Sequence, residues 1–333
     1  MREEQADGGA VAIGVVLADL ATRLAVVAVT ADGRRIEHIQ RLRLERPPTP
    51  EQAVERLGEL VARLTAPPHA VISPVSSVGV AAWTRVDPAR GVIADARFGA
   101  TWEAFPLAER LAARLGAPTR LLSGVSAAAR AEARQGAAVG RSPLLYIHLG
   151  RSVASALVVD GVPLEGARFD AGRLGHWQTG LDGPRCVCGA TGHLEPLVSA
   201  QSLVRLAIGM AADDEQALTA IHRVTGMRAE ALTAPQVVAL ARDDVRVIRE
   251  LVDVAVDALA GALANLVVAL DPAVVVIGGP LAKADSVFLD WLRERLRARL
   301  AGVADPPAIA AAALEPDGAA LGAIWRPEPS AGG

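Results

Sequence analysis

Two strand meanders, each followed by helices, occur one after the other in this chain of 333 residues. The first contains β-rich runs that start at Val11 and Arg23, and a turn at residues 31–33 leads into a third run. The second, SPLLYIHLG followed by SVASALVVDGVPL, has Asp160 and Gly161 as its hairpin turn. This order predicts a duplicated α/β lobe, with a cleft between the two copies.

The pattern restarts near Leu121 without a low-complexity linker, so we expect two closely packed lobes that can hinge. Within the first lobe, Thr49 is placed to cap a helix and Gly116 to end one. The predicted segments are a flexible tail at 1–9, a first lobe at 10–121, a second lobe at 122–316 and a flexible tail at 327–333. A short helix at 317–326 is expected to complete the first lobe.

Bulk composition narrows the class of protein. A hydrophobic content of 51% with 21% charged residues is typical of a globular chain and excludes disorder throughout. The formal net charge of -3 provides no general attraction for nucleic acid. The longest apolar region is interrupted by Asn265, Asp271 and Pro272, so we expect no membrane span. The N-terminus is acidic where a secretory signal needs positive charge, and with two cysteines the chain is expected in a reducing cytoplasm.

Both cysteines lie in one segment with two histidines. Cys186, Cys188 and His193 fall within eight residues, and His176 lies ten residues upstream. Two thiolates and two imidazoles are ligands that zinc takes in a closed tetrahedral site, which leaves no open position for water. The segment 176–195 therefore predicts a structural zinc loop rather than a catalytic metal.

Three glycines of this segment are expected to let the backbone turn sharply around one ion: Gly183, Gly189 and Gly192. The alternative is a pair of ordinary buried thiols beside two unrelated histidines. Zinc is preferred because a two-residue spacing is awkward for mutual disulfide bonding, and because all four groups share one segment.

The same segment carries a family resemblance. Residues 173–176 read RLGH and residues 186–195 read CVCGATGHLE, which resemble the ExGH and CxCGxxGCxE motifs of the ROK family (repressor, open reading frame, kinase). The resemblance implies an α/β chain with the actin-like/sugar-kinase/Hsp70 (ribonuclease H-like) fold, in two lobes with a cleft between them. It also implies that His193 stands in for a third cysteine, and that the chain forms a homo-oligomer.

The nucleotide-binding segments of the family are only partly retained. Where family kinases read DxGGTK, this chain reads ADLATR, which contains Asp19, displaced by one place, and Thr22. Only Gly150 remains of the second phosphate loop, GTGIGGG, and we prefer to interpret that run as a plain hairpin strand. Gly278 and Gly279 match the adenosine-side segment. With both phosphate loops altered, the use of ATP and magnesium is in doubt.

The resemblance also assigns a catalytic base, and this chain lacks it. In family kinases the aspartate of an END run takes the proton from the attacking sugar hydroxyl, and the matching residues 122–124 read LSG. Gly124 carries no proton acceptor, whereas a positioned base contributes roughly 10²–10⁴-fold to a rate. We therefore name no catalytic residue and expect negligible phosphoryl transfer.

Five residues are implied to face the ligand: Arg173, His176, Glu195, Ser123 and Trp83. Arg173 stands where the family has a glutamate that bonds sugar hydroxyls, so the charge is inverted. A guanidinium binds anionic groups bidentately, which favours a sugar phosphate or a sugar acid as the ligand. The alternative is that Arg173 is a solvated partner of Asp170 or Asp182.

Three functions are compatible with these residues. The preferred one is a ROK-family pseudokinase, a zinc-stabilised carbohydrate- or sugar-phosphate-binding regulatory or sensor protein. The first alternative is an active ATP-dependent kinase of a hexose, amino sugar or cyclitol with a displaced base. The second is a sugar-responsive transcriptional regulator. Family repressors carry a winged helix ahead of the first lobe, and this lobe starts close to Met1, so we expect no direct DNA binding.

Overall fold

The computed structural model describes residues 11–18, 22–30, 36–65, 75–95, 98–180, 182–283 and 285–325. The chain divides into two compact units. Unit 1 comprises Met1–Gln135, Gly161–Ala171 and Pro316–Gly333, and unit 2 comprises Gly136–Asp160 and Gly172–Glu315. The two predicted tails lie outside the described residues.

The elements in chain order are β1 (Val11–Ala18), β2 (Arg23–Thr30), β3 (Ile36–Arg43), α1 (Pro50–Thr65), β4 (Val75–Ala82), β5 (Val86–Asp87), β6 (Val92–Ile93), α2 (Leu107–Leu115), β7 (Thr119–Ser123), α3 (Gly124–Gln135), β8 (Leu144–Leu149), β9 (Val153–Val159), β10 (Val162–Pro163), α4 (Glu195–Val198), α5 (Ala200–Ala211), α6 (Glu215–Thr225), α7 (Ala234–Arg242), α8 (Arg246–Leu270), β11 (Val274–Gly278), α9 (Asp285–Leu300), β12 (Ala308–Ala311) and α10 (Gly318–Ile324).

Unit 1 is built on a five-stranded sheet with the order β3-β2-β1-β4-β7. β1, β2 and β3 are antiparallel neighbours, which is the predicted meander, and β4 and β7 continue the sheet in parallel. The expected helix signals are present. Thr49 Oγ1 accepts a hydrogen bond from Gln52 N–H at 3.3 Å at the start of α1, and Gly116 ends α2 with φ 65°.

The C-terminal helix α10 packs directly on this sheet and on α3. A Cβ at Gly79 of β4 would lie 2.2 Å from the carbonyl oxygen of Ala323, so only glycine allows the helix to come this close. On its other side, a Cβ at Gly322 would lie 1.7 Å from the carbonyl oxygen of Ala127 in α3. The C-terminal helix therefore packs within unit 1.

The boundary between the units differs from the predicted one. We expected the second lobe to begin at residue 122, whereas α3 belongs to unit 1. The reason is its contact with the C-terminal segment, since Arg130 of α3 donates a hydrogen bond to the Trp325 carbonyl at 2.6 Å, across 195 residues of sequence. Residues 161–171 also fall in unit 1, which the sequence pattern did not predict.

Unit 2 repeats the strand arrangement of unit 1. Its sheet contains β9, β8, β11 and β12 in that order. β8 and β9 form an antiparallel hairpin, and β11 runs parallel to both β8 and β12. The carboxyl ends of three parallel strands therefore meet at one edge of the sheet. The predicted helical section between Leu197 and Leu270 comprises the end of α4 and helices α5 to α8.

Helix α8 contains most of the apolar region for which we predicted no membrane span. It runs unbroken through Asn265 for 25 residues, and it is the one helix in the described part of the chain that is long and apolar enough to cross a membrane. However, 56% of its most apolar window is buried inside the fold. That burial is typical of a core helix, and one such helix is weak evidence for a membrane span.

Candidate metal centre and ligand site

Four side chains with metal-ligating atoms come together in unit 2: His176, Cys186, Cys188 and His193. One ligand atom from each lies within 4.8 Å of the other three. Nδ1 of His176 lies 3.3 Å from Nδ1 of His193 and 3.8 Å from Sγ of Cys186. Sγ of Cys188 lies 3.3 Å from Nδ1 of His193. A tetrahedron with bonds of about 2.0–2.3 Å has edges of roughly 3.3–3.8 Å, so these separations fit one zinc ion.

Local backbone pairing builds the cluster. Gln178 and His193 form an isolated antiparallel bridge, which brings the segment of His176 beside that of His193. Gly189 N–H donates to the carbonyl of Cys186 at 2.8 Å and closes a tight turn around Cys188. The four ligands are therefore positioned by contacts among near neighbours in sequence.

The three glycines of this segment do not act alike. Gly189 and Gly192 adopt the left-handed backbone conformation expected of turning glycines, with φ of 93° and 76°. Gly183 does not, so our expectation of a turn there is wrong. Its missing side chain instead makes room for Leu197, whose Cδ2 lies 3.2 Å from where a Cβ would stand.

The two thiols differ in exposure. Cys186 is 4% exposed, whereas Cys188 lies at the surface. Burial raises the pKa of the Cys186 thiol; a hydrogen bond from the Cys188 backbone lowers it in part, and the Cys188 thiol and the Glu195 charge raise it. A thiolate at Cys186 therefore needs a compensating positive charge, which a bound metal cation would supply.

Arg173 lies beside the metal cluster. One of its guanidinium nitrogens, Nη2, lies 2.9 Å from Nε2 of His176, the ring nitrogen that does not face the cysteines. Because arginine can only donate, this contact requires an unprotonated Nε2. A metal on Nδ1 of a neutral imidazole leaves the proton on Nε2. Metal binding and this Arg–His contact therefore exclude each other for a neutral ring.

Glu195 is largely buried at the start of α4, with 9% of its surface exposed. Its Oε2 accepts a hydrogen bond from the backbone N–H of Val153 at 3.0 Å, which ties α4 to the start of β9. One carboxylate oxygen thus has a structural partner, and any bond to a ligand hydroxyl would fall to the other.

The position implied for the catalytic base lies in unit 1, at the first residue of α3. A Cβ at Gly124 would stand 2.6 Å from Cδ2 and 2.8 Å from Cγ of the Trp83 indole. A side chain therefore cannot be added at residue 124 unless the indole moves. Gly124 therefore lacks the carboxylate of the family base, and it also leaves no room for a side chain beside the Trp83 indole.

Ser123 caps helix α3. Its hydroxyl donates to Ser126 Oγ at 2.8 Å and accepts from the Ser126 N–H at 3.2 Å. This is the usual role of a serine before the first turn of a helix. Ser123 and Trp83 thus both have structural contacts in unit 1 that account for these residue types.

The residues implied to bind nucleotide fall in both units. Asp19 lies outside the described residues, and Thr22 lies in the turn before β2, where its carbonyl accepts from Leu44 N–H at 2.8 Å. Gly150 lies in the β8–β9 hairpin, where its N–H donates to the Ser152 carbonyl at 3.1 Å. The chain itself therefore uses this amide, as the hairpin interpretation expects.

A carboxylate from the chain occupies the third nucleotide-binding position. Oε1 of Glu315 accepts from the Gly279 N–H at 2.6 Å and from the Tyr146 hydroxyl at 3.3 Å. His148 Nδ1 lies 3.4 Å from the same oxygen. Glu315 was not among the predicted site residues, although an acidic residue soon after the last parallel strand is a signal that could have indicated it.

This carboxylate is held in its charged form. Burial alone would raise the pKa of Glu315, but hydrogen bonding and charge from His148, the Gly279 N–H and Lys283 hold that pKa below its usual value. Glu315 therefore carries a negative charge at neutral pH.

A groove of about 780 Å³ lies in unit 2 next to the metal cluster, between Trp177–Thr179 and one side of α8 near Asn265. None of the five residues predicted to face the ligand lines it. The groove therefore adds no support to the predicted ligand site.

Similarity to known proteins decides the family. The family model described as ROK family matches residues 19–326, which is most of the chain. The chain belongs to the ROK family. A glucokinase from Halalkalibacterium halodurans is 32% identical to this ROK chain over 227 residues, which cover 67% of this chain and 68% of that protein.

Solved ROK structures confirm the actin-like, sugar-kinase fold. A ROK family glucokinase from Streptomyces griseus, in complex with glucose and AMPPNP, superposes with a TM-score of 0.79 at 26% identity, covering 94% of this chain and 98% of that one. A ROK family transcriptional regulator, a homologue of the E. coli MLC protein, superposes with a TM-score of 0.77 at 18% identity, covering 95% of this chain and 77% of that one. At that identity the second likeness concerns the fold alone.

The described residues of this ROK protein do not fit a magnesium nucleotide held as the family resemblance implies. Gly124 offers no base, the Gly150 amide is engaged by Ser152, and Glu315 occupies the Gly279 amide. The zinc loop, by contrast, keeps four ligand groups at suitable separations.

Proposed function

We propose that this chain is a ROK-family pseudokinase, a zinc-stabilised protein that binds a carbohydrate or sugar phosphate and transfers no phosphate. The observation that carries the proposal is Gly124, which lacks a proton acceptor and at which an added Cβ would stand 2.6 Å from the Trp83 indole. Without a base, the sugar hydroxyl that attacks a phosphoryl group keeps its proton, and about 10²–10⁴-fold of the rate is lost. The protein then serves as a sensor or regulator.

Zinc has an architectural role in this proposal. Its four ligands form a closed set, so the ion leaves no coordination position for substrate or water. It holds the segment 176–195, and with it the orientation of His176 and Glu195. With its lone pair bound to the ion, Nδ1 of His176 would not be able to accept a proton.

The ligand that we propose is anionic. Arg173 replaces a glutamate in the family motif, and metal binding on His176 displaces the guanidinium from its contact at Nε2. A guanidinium released from this contact suits a phosphate or carboxylate group of a sugar derivative, because it donates two parallel hydrogen bonds.

Substituting Arg173 with alanine should remove the preference for an anionic sugar. We expect wild-type protein to be stabilised more by glucose 6-phosphate than by glucose in a thermal-shift titration. In Arg173→Ala the affinity for the phosphorylated sugar should fall roughly tenfold or more, since a charged hydrogen bond is lost. Arg205→Ala, which removes an exposed arginine from α5, is the matched control and should leave both affinities unchanged. Equal shifts with the two sugars, or shifts that survive Arg173→Ala, would contradict the anionic ligand.

The second candidate is an active ATP-dependent sugar kinase with a displaced base. The names of the relatives support this candidate better than they support the first, since they include glucokinases and N-acetyl-D-glucosamine kinases. The two candidates differ in one observable, which is sugar-dependent formation of ADP.

Two properties remain predictions that accompany either candidate. We propose a homo-oligomer and a location in the cytoplasm. Size-exclusion chromatography with light scattering measures the first of these directly.

A further inference from the structure

Unit 2 contains a glycine loop at the edge where its parallel strands end. β8, β11 and β12 are parallel neighbours, and Gly278 at the end of β11 lies opposite His148 of β8. Ligands of open α/β sheets bind outside the carboxyl ends of such strands. Consecutive glycines there expose backbone N–H groups and leave space for an anion to approach.

In this chain the space beside the glycines is already filled. A Cβ at Gly278 would stand 2.7 Å from Glu315 Oε1 and 2.1 Å from the Tyr146 hydroxyl oxygen. Gly279 has φ 92° and donates its N–H to the same carboxylate oxygen at 2.6 Å. A bond of this length to an ionised acceptor is typical of the stronger, charge-assisted class. The two glycines thus bind the carboxylate of Glu315, a residue of the same chain.

We infer that Glu315 is an internal anion that fills this glycine loop and excludes the phosphate groups of a nucleotide from unit 2. A phosphate oxygen at the Gly279 N–H would have to displace the carboxylate or stand beside it. Like charges in contact in a partly buried site repel far more strongly than in water. The inference goes beyond the proposed function, because it names the residue that decides which ligands this loop accepts.

The surroundings of Glu315 favour its staying in place. The Tyr146 hydroxyl donates to the same carboxylate oxygen, His148 Nδ1 lies 3.4 Å from it, and Lys283 Nζ lies 3.4 Å from the Glu315 backbone carbonyl. The side chain of Glu315 is 16% exposed, so water competes little for these bonds. Three groups on two segments, the Tyr146 hydroxyl and His148 of β8 and the Gly279 N–H after β11, thus surround one carboxylate oxygen.

The test is nucleotide affinity in variants of the full chain, measured by isothermal titration calorimetry with ADP, pyrophosphate and adenosine. We expect Glu315→Ala to bind ADP and pyrophosphate at least tenfold more tightly than wild type. Glu315→Gln keeps the size and removes the charge, so it should show a smaller gain. Adenosine, which has no phosphate, should bind all forms alike. Glu250→Ala removes an exposed carboxylate that pairs with Arg246 on α8, and should behave like wild type.

Wild-type affinity for ADP and pyrophosphate equal to that of both Glu315 variants would overturn the inference. Glu315→Gln is nearly isosteric, so it is expected to fold and can still be titrated if Glu315→Ala is unstable. The outcome is separate from that of the proposed function. Sugar-dependent ADP formation by the wild type would end the pseudokinase proposal, whereas the ratio of affinities alone decides the role of Glu315.

Discussion

Replacing Cys186 with serine is expected to release the zinc and lower the Tm of the protein by roughly 5–10 °C. Cys186 is the buried thiol of the four-ligand cluster, and its replacement leaves three ligands that cannot close a tetrahedron. Metal binding is coupled to folding, because an unfolded chain presents no preformed site. Zinc content by elemental analysis and melting by differential scanning calorimetry measure the two effects.

The control for this substitution lies in the same loop. Val187 is 93% exposed between the two cysteines, so Val187→Ala should retain zinc and the wild-type Tm. Full zinc and unchanged melting in Cys186→Ser would show that these four residues do not hold the metal.

Restoring a carboxylate at residue 124 is expected to destabilise unit 1 and to restore no kinase activity. In Gly124→Asp the new Cβ would stand 2.6 Å from the Trp83 ring, and such overpacking costs roughly 1–3 kcal/mol of unfolding free energy. A negative charge in the first turn of α3 stabilises the helix by about 0.3–1 kcal/mol. This gain is smaller than the cost of overpacking, so the net effect is destabilising. Urea denaturation measures the change in free energy.

A second substitution isolates the cause. If the clash with the indole is responsible, Trp83→Ala combined with Gly124→Asp should be more stable than the sum of the two single effects predicts, by about 1 kcal/mol or more. Gly124→Ala, which adds the Cβ without a charge, should destabilise the chain as well. Additive effects of the two changes would contradict the packing role of Gly124.

The features that the sequence predicted are those carried by neighbours along the chain. The strand meanders follow from hydrophobic runs and turns, and the cap at Thr49 depends on a residue three positions away. The metal cluster was predictable for the same reason, because one bridge and one turn bring His176 to His193 within a single loop. Short-range patterns thus account for most of the secondary structure and for the metal centre.

The features that the sequence did not predict depend on contacts between residues far apart along the chain. Helix α3 joins unit 1 because Arg130 reaches the carbonyl of Trp325, which no periodicity reveals. Glu315 meets Gly279 across 36 residues, and Gly183 is small because Leu197 packs against it. For the ligand site, the motif indicated the position of Gly124, but only the structure shows that the Trp83 indole packs against it.

Loss of phosphoryl transfer is tested most directly by measuring sugar-dependent ADP formation by purified, zinc-loaded wild-type protein. The assay supplies ATP and magnesium with a panel of hexoses, amino sugars and cyclitols, and an active ROK glucokinase serves as the positive control. We predict ADP formation no higher with any sugar than without sugar. Sugar-dependent ADP formation that disappears in Glu195→Gln would contradict the account and favour the kinase.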